Sequence, residues 1–180
     1  MNFKRVNYRI AQFRKALYTR PTRKDLEQTE AILTPEQMAL FNQLQRSEQV
    51  HSLAVLNRLL KDDLSNLGEG KRDLLVAALL HDVGKTKHPL RIWERVWIVL
   101  VKAFFPGLAD QWGNSEPTGW KRAFVVADQH AEWGAQLAAK AGASALTVEL
   151  IRLHQNHHPR HFVNQSAGLL QQLQEADQES

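Results

Sequence analysis

The chain has 180 residues, 43% of them hydrophobic, with no cysteine and a formal net charge of +4. That length allows one full core and is short for two, and the missing cysteine excludes disulfide scaffolds and thiolate metal sites. Only 9 glycines and 6 prolines punctuate a chain dominated by helix formers, which points to an all-α fold.

The first element is an amphipathic pattern. Phe3, Val6, Ile10, Phe13 and Leu17 recur at spacings of three and four, with a basic opposite face. Residues 1–24 hold eight of the 23 Lys and Arg and no Asp or Glu, so the rest of the chain is net acidic. The expectation is an arm, residues 1–33, whose apolar stripe packs on a helical domain at 34–180. The alternative is an arm that meets anionic lipid or nucleic acid. Arg5, Arg9, Arg14 and Lys15 interrupt every apolar stretch that a secretory signal would need, so a cytoplasmic protein is expected, in the alternative peripheral at the membrane.

Pro21 marks a break, and Asp25 to Leu33 suits a short helix. Thr34-Pro35-Glu36-Gln37 is a strong helix start, with Thr as N-cap, Pro in the first turn and Gln three residues on. That helix should run to about Leu44. Ser47 can cap the next, which carries His51 and runs to about Lys61. Gly68-Glu69-Gly70 reads as a loop, and Arg72 to His81 as the following helix.

Residues 88–120 are the most individual part. Ile92 to Phe105 is apolar on nearly every side and includes Trp93, Trp97, Phe104 and Phe105. It is too short to span a bilayer. A core helix or a homodimer interface is the expectation, and a membrane-facing patch the alternative. Pro106-Gly107 should stop it, and Gly113 to Gly119 reads as a loop. Helices follow over Trp120 to His130, Ala131 to Ala141 and Ala145 to His154. Ala167 to Ala176 is a last helix leading to Asp177. No internal repeat is visible.

The chemistry concentrates after the apolar run Leu74 to Leu80, where the chain reads His81-Asp82-Val83-Gly84-Lys85. A His and an Asp at the end of a buried segment are costly unless partnered. A metal ion partners imidazole nitrogen and carboxylate oxygen together. His51, His130, His154 and Asp177 lie on or beside other helices, a spread that fits a metal site built between helices. His88, His157, His158 and His161 read as loop residues, although His157 or His158 replaces His154 if the register differs. Asp128, two residues before His130, should point to another side. Lys85 either contacts a phosphate as a point charge or sits as a surface lysine near a helix C-terminus.

The order His51, His81-Asp82, Asp177 resembles the HD-domain metal-dependent phosphohydrolase superfamily, over roughly Val50 to Ala176. His81-Asp82-Val83-Gly84-Lys85 matches the His-Asp-Ile-Gly-Lys variant of its motif. His130-Ala131-Glu132-Trp133-Gly134 is similar to the His-Pro-Glu-x-Gly stretch of two-metal members. Ile151 to Gln155 resembles the helix that carries their next His. No Gly-Tyr-Pro triplet follows His154, and Gln155 stands where the cyclic-dinucleotide phosphodiesterase branch has a second His, which argues against a standard cyclic-di-GMP enzyme.

The resemblance implies an all-α bundle that holds one or two divalent ions: iron, manganese, zinc or cobalt, with magnesium also admitted. It implies that Asp82 bridges two metals, with His51, His81 and Asp177 on one and His130 and His154 on the other. A metal-activated water would then hydrolyse a phosphate ester or anhydride, with Lys85 offsetting phosphoryl charge. Nucleotides, dinucleoside polyphosphates among them, are the substrates expected. An inositol-oxygenase-like di-iron oxygenase and a non-catalytic metal-binding signalling module are the alternatives.

Overall fold

A computed structural model describes residues 20–62, 67–68, 70–113, 115–156 and 164–180. Nine α-helices and two short 3-10 turns account for the regular structure of these residues, and no strand occurs among them. The helices are α1 (Arg23–Ile32), α2 (Pro35–Phe41), α3 (Arg46–Leu59), α4 (Gly70–Leu80), α5 (Ile92–Phe104), α6 (Pro106–Gly113), α7 (Arg122–Lys140), α8 (Ala145–Leu153) and α9 (Asn164–Glu179). The turns are Val83–Lys87 and Gly119–Lys121. The stripe at Phe3 to Leu17 lies outside the described residues, as do His157, His158 and His161.

The apolar run organises the bundle. Every residue from Leu74 to Leu80 is buried, so α4 is covered all round. α3, α8 and α9 pack directly on it, and α1 and α2 cover a further part. Phe41, Leu56, Leu59, Leu150, Ile151, Leu170 and Leu173 fill the same core and are essentially without exposure. Leu26, Ile32 and Leu33 of the expected arm also pack there. α7 approaches through α8 and the Val83–Lys87 turn.

Local sequence signals explain most helix starts. Thr34 accepts from Gln37 N, and Gln37 Oε1 accepts from Thr34 N, the reciprocal pair that the Thr-x-x-Gln spacing predicts. At α3 the outcome differs from expectation. Gln45 is the N-cap, and Glu48 Oε2 accepts from Gln45 N at 3.0 Å. Ser47 therefore lies inside the first turn, and its Oγ accepts from Arg95.

Two boundaries are corrected. The two helices expected on either side of His130 are one continuous helix, α7, because no breaker separates them. Asp177 lies within α9 and not beyond it. α5 stops at Phe104, just before Pro106-Gly107 as expected, and Pro106 opens a further helix, α6, where a missing N–H costs nothing.

The largest correction concerns Ile92 to Phe105. This segment is helical but is not a core helix. Glu94 and Val101 are its buried residues, whereas Trp93, Trp97, Leu100 and Phe104 are exposed. Its inward side is tied by charge: Arg122 Nη1 donates to Glu94 Oε1 and Arg95 Nη2 to Glu48 Oε1, both at 2.6 Å. Small satellite clusters on α7, around Val126 and Phe124, take Ile98 and Val101. No helix among the described residues is long and apolar enough to cross a membrane.

Candidate metal centre

Six polar side chains converge at one end of α4. His51 projects from α3, one turn after the buried Glu48. His81 and Asp82 follow the last residue of α4, where its apolar packing drags the chain end into the interior. His130 lies in α7, His154 caps α8, and Asp177 sits in the last turn of α9. His81, Asp82, His130 and His154 are each less than 5% exposed.

The side chains fall into two groups with ligand atoms within 4.8 Å of one another. His51, His81 and Asp177 form one, and Asp82, His130 and His154 the other. His51 Nε2 donates to Asp177 Oδ1 at 2.7 Å, and His81 Nε2 stands 3.7 Å from the same oxygen. Asp82 lies between the groups. Its Oδ2 is 3.8 Å from His81 Nε2, and its Oδ1 is 3.2 Å from His130 Nε2. The imidazoles of His81 and His154, and of His130 and His154, meet edge to face with centroids 5.1 and 5.3 Å apart.

The three buried imidazoles share one device. Each Nδ1–H donates to a backbone carbonyl of its own or the preceding helix: His81 to Ala78, His130 to Val126 and His154 to Ile151, at 2.7–2.9 Å. This holds the Nδ1 proton on the carbonyl side and turns Nε2 into the cluster. His81 Nε2 and His130 Nε2 are buried and have no hydrogen-bond partner. A buried polar atom left so is expensive, and it calls for a ligand. Four imidazoles and two carboxylates are a suitable donor set for a divalent transition metal. On this test the residues fit the group.

The electrostatics keep four of the six side chains, Asp82, His130, His154 and Asp177, in forms that can donate to a metal. Burial pushes His154 down to about 3, with His81 and His130 adding to the effect, so its ring is neutral at pH 7. Burial, then Lys85, lowers His130 in the same way. For Asp82, burial pushes upward, but Lys85, His81 and His130 outweigh it and hold the carboxyl well below its usual range. Asp177 is likewise lowered, its burial overcome by the hydrogen bond from His51 and the nearby His81.

Lys85 Nζ donates to Asp82 Oδ2 at 2.6 Å and remains 22% exposed. Its ammonium thus stands at the rim of the cluster. Gly84 serves a purpose other than turning. Its φ is not positive, but a Cβ there would lie 1.9 Å from His130 O and 2.6 Å from Gly134 N. Only a hydrogen lets the Val83–Lys87 turn press against the α7 backbone and bring Asp82 to His130.

Asp128 is exposed and packs toward Gly113 of α6, away from the cluster. His88 follows the turn and stacks near Trp133, at 5.2 Å between ring centroids. Sequence reasoning missed Glu48. It is 3% exposed, and burial raises its pKa although Arg95 and Lys85 pull it down. The signal was present as Gln45-x-x-Glu48, a capping-box spacing, but Ser47 is the stronger N-cap by residue type.

A family model described as HD domain matches residues 49–180. No curated protein and no solved structure matches the chain.

Proposed function

Because the chain belongs to the HD-domain family, we propose that it is a metal-dependent phosphohydrolase acting on a nucleotide-type phosphate ester or anhydride. Members of the family are generally metal-dependent phosphohydrolases, and HD domains bind divalent metals. The observation that carries the reading for this chain is the pair of buried, partnerless Nε2 atoms of His81 and His130 on either side of the Asp82 carboxylate.

His51, His81 and Asp177 would hold one ion, His130 and His154 a second, and Asp82 would serve both. The bound metal would lower the pKa of water to make a nucleophile at neutral pH and offset phosphoryl charge. The protein's own contributions are separate. The backbone carbonyls of Ala78, Val126 and Ile151 orient three imidazoles before any ligand arrives, so little reorganisation is left for the reaction. Lys85 supplies a mobile positive charge at the open edge of Asp82, within reach of a phosphoryl oxygen. The described residues around the centre supply no serine–histidine pair that would replace water as nucleophile, in keeping with a water-based route.

The test is phosphate release by metal-loaded protein from mononucleotides, dinucleoside polyphosphates and cyclic nucleotides. At least one should be turned over. Lys85→Ala should keep its metal and lose about 2–4 kcal/mol of barrier stabilisation, read as a fall in kcat. Oxygen consumption with no phosphate release would replace this reading by the oxygenase. Metal-loaded protein inert in both assays would leave the non-catalytic module.

A further inference from the structure

α5 carries its polarity inverted. Toward the domain it presents Glu94 and Arg95, locked to Arg122 and Glu48. Toward solvent it presents Trp93, Val96, Trp97, Leu100 and Phe104 at spacings of three and four, a continuous helical stripe. Phe105 and Leu108 extend it into α6, and Trp120 flanks it; Trp93 is 56% and Phe105 60% exposed. Trp93, Val96, Trp97, Leu100 and Trp120 line an apolar cleft of about 420 Å³ that includes none of the metal ligands. An exposed apolar face of this extent on an otherwise ordinary core signals something that covers it.

The charges around the stripe say what. Residues 85–121, which span the face, contain six Lys or Arg and three acids, of which Glu94 is buried and bonded. The exposed cations are Arg91 and Lys102, with Lys87 over the Trp133 ring, and Glu116 is an exposed acid. Lys121 Nζ lies 5.6 Å from the Trp120 ring centroid, at the edge of the same face. A second copy placed face to face would bring together two surfaces that each carry twice as many basic as acidic residues over 85–121, an unfavourable match. The chain's own first 24 residues are basic without an acid and would match it no better. An anionic lipid surface answers both features at once. Its acyl region takes the aliphatic and aromatic stripe, its headgroup region suits tryptophan, and its charge attracts the flanking Lys and Arg. Lys102, on a long stem within the stripe, can keep its ammonium among the headgroups.

We propose that the α5–α6 face, centred on Trp97 and Leu100, is a docking surface for an anionic lipid bilayer, on which the protein binds peripherally. The proposal is independent of the reaction catalysed. The Arg95–Glu48 tie joins this face to the helix that bears His51, so docking would place the metal centre close to the membrane plane.

The test is flotation of the full chain with vesicles of phosphatidylglycerol and phosphatidylcholine, against vesicles of phosphatidylcholine alone. Wild-type protein should float with the anionic vesicles and release with salt. The double variant Trp97→Glu/Leu100→Glu should bind at least about tenfold more weakly, with helix content, thermal midpoint and metal content unchanged. Should that variant fail to fold, quenching of wild-type tryptophan fluorescence by acyl-brominated lipid decides independently, and quenching is expected. Absence of binding to anionic vesicles at low salt overturns the proposal. So does a wild-type dimer that Trp97→Glu/Leu100→Glu makes monomeric without any vesicle binding. So does vesicle binding that survives this variant but is abolished by Ile10→Glu/Phe13→Glu, because the arm and not the stripe would then carry it.

Discussion

The candidate metal centre and α5 both reverse the usual partition of polar and apolar groups, and they do so by opposite means. The centre draws four imidazoles and two carboxylates inward, and the backbone carbonyls of Ala78, Val126 and Ile151 hold three of the rings. Their geometry depends on the backbone of the helices themselves. α5 instead sends its apolar residues outward and is anchored by two side-chain ion pairs, Glu94–Arg122 and Arg95–Glu48. Side-chain ties of that kind adjust more readily than backbone ones. The difference teaches where to expect preorganisation and where adaptation: a site for ions at the first region and a pliable surface at the second.

The largest effect should come from the residue that joins the two ligand groups. Asp82→Ala should copurify with essentially no metal, measured by elemental analysis, since Asp82 is the carboxylate that faces both His81 and His130. Metal content equal to wild type would end the shared-ligand account. His154→Ala should act on half of the centre, lowering the content by about one ion per chain while the His51, His81 and Asp177 group keeps its own. His158→Ala should leave it unchanged. If the two variants exchange these outcomes, the ligand after His130 is His158.

Next in size is the backbone contact beneath the centre. Gly84→Ala should cost about 3 kcal/mol in denaturant unfolding, because the new methyl group meets the α7 backbone and not a movable side chain. A loss below about 0.5 kcal/mol would show that the turn and α7 separate easily, and the contrast with α5 would fail.

Arg95→Met probes the softer region. It removes the counter-charge of buried Glu48 and should cost about 2 kcal/mol near pH 7, less than for a fully buried pair because Arg95 is partly exposed. The sign of its pH dependence follows from burial. Glu48 is already raised in the folded protein, so its contribution to stability falls as pH rises through the folded pKa. Without Arg95 the folded pKa rises further. The deficit of the variant should therefore shrink from about pH 7 to about pH 4, as read by thermal midpoints. A deficit that stays constant on acidification would mean that Arg95 stabilises through packing alone.

How much of this was legible in the sequence follows physical lines. Periodicity and composition determined the all-α class, and the run Leu74 to Leu80 identified the buried helix, because a helix apolar on all sides has only one stable environment. The abrupt His81-Asp82 after it, with Lys85 near, marked the chemistry, and the order of His51, His130, His154 and Asp177 named the residues that the helices bring together. Those are local properties, carried by residue type and spacing. The tertiary structure alone decided three things. It turned the most apolar stretch of the chain outward, since the inward face of α5 is chosen by Arg122 and Glu48, which lie 28 and 47 residues away from their partners. It gave Gly84 its purpose, which is the distance to a helix far along the chain and not a turn of its own. And it set Glu48 beside the centre, where burial rather than sequence context governs its charge. Each depends on which segment arrives opposite another, and no window of sequence contains both partners.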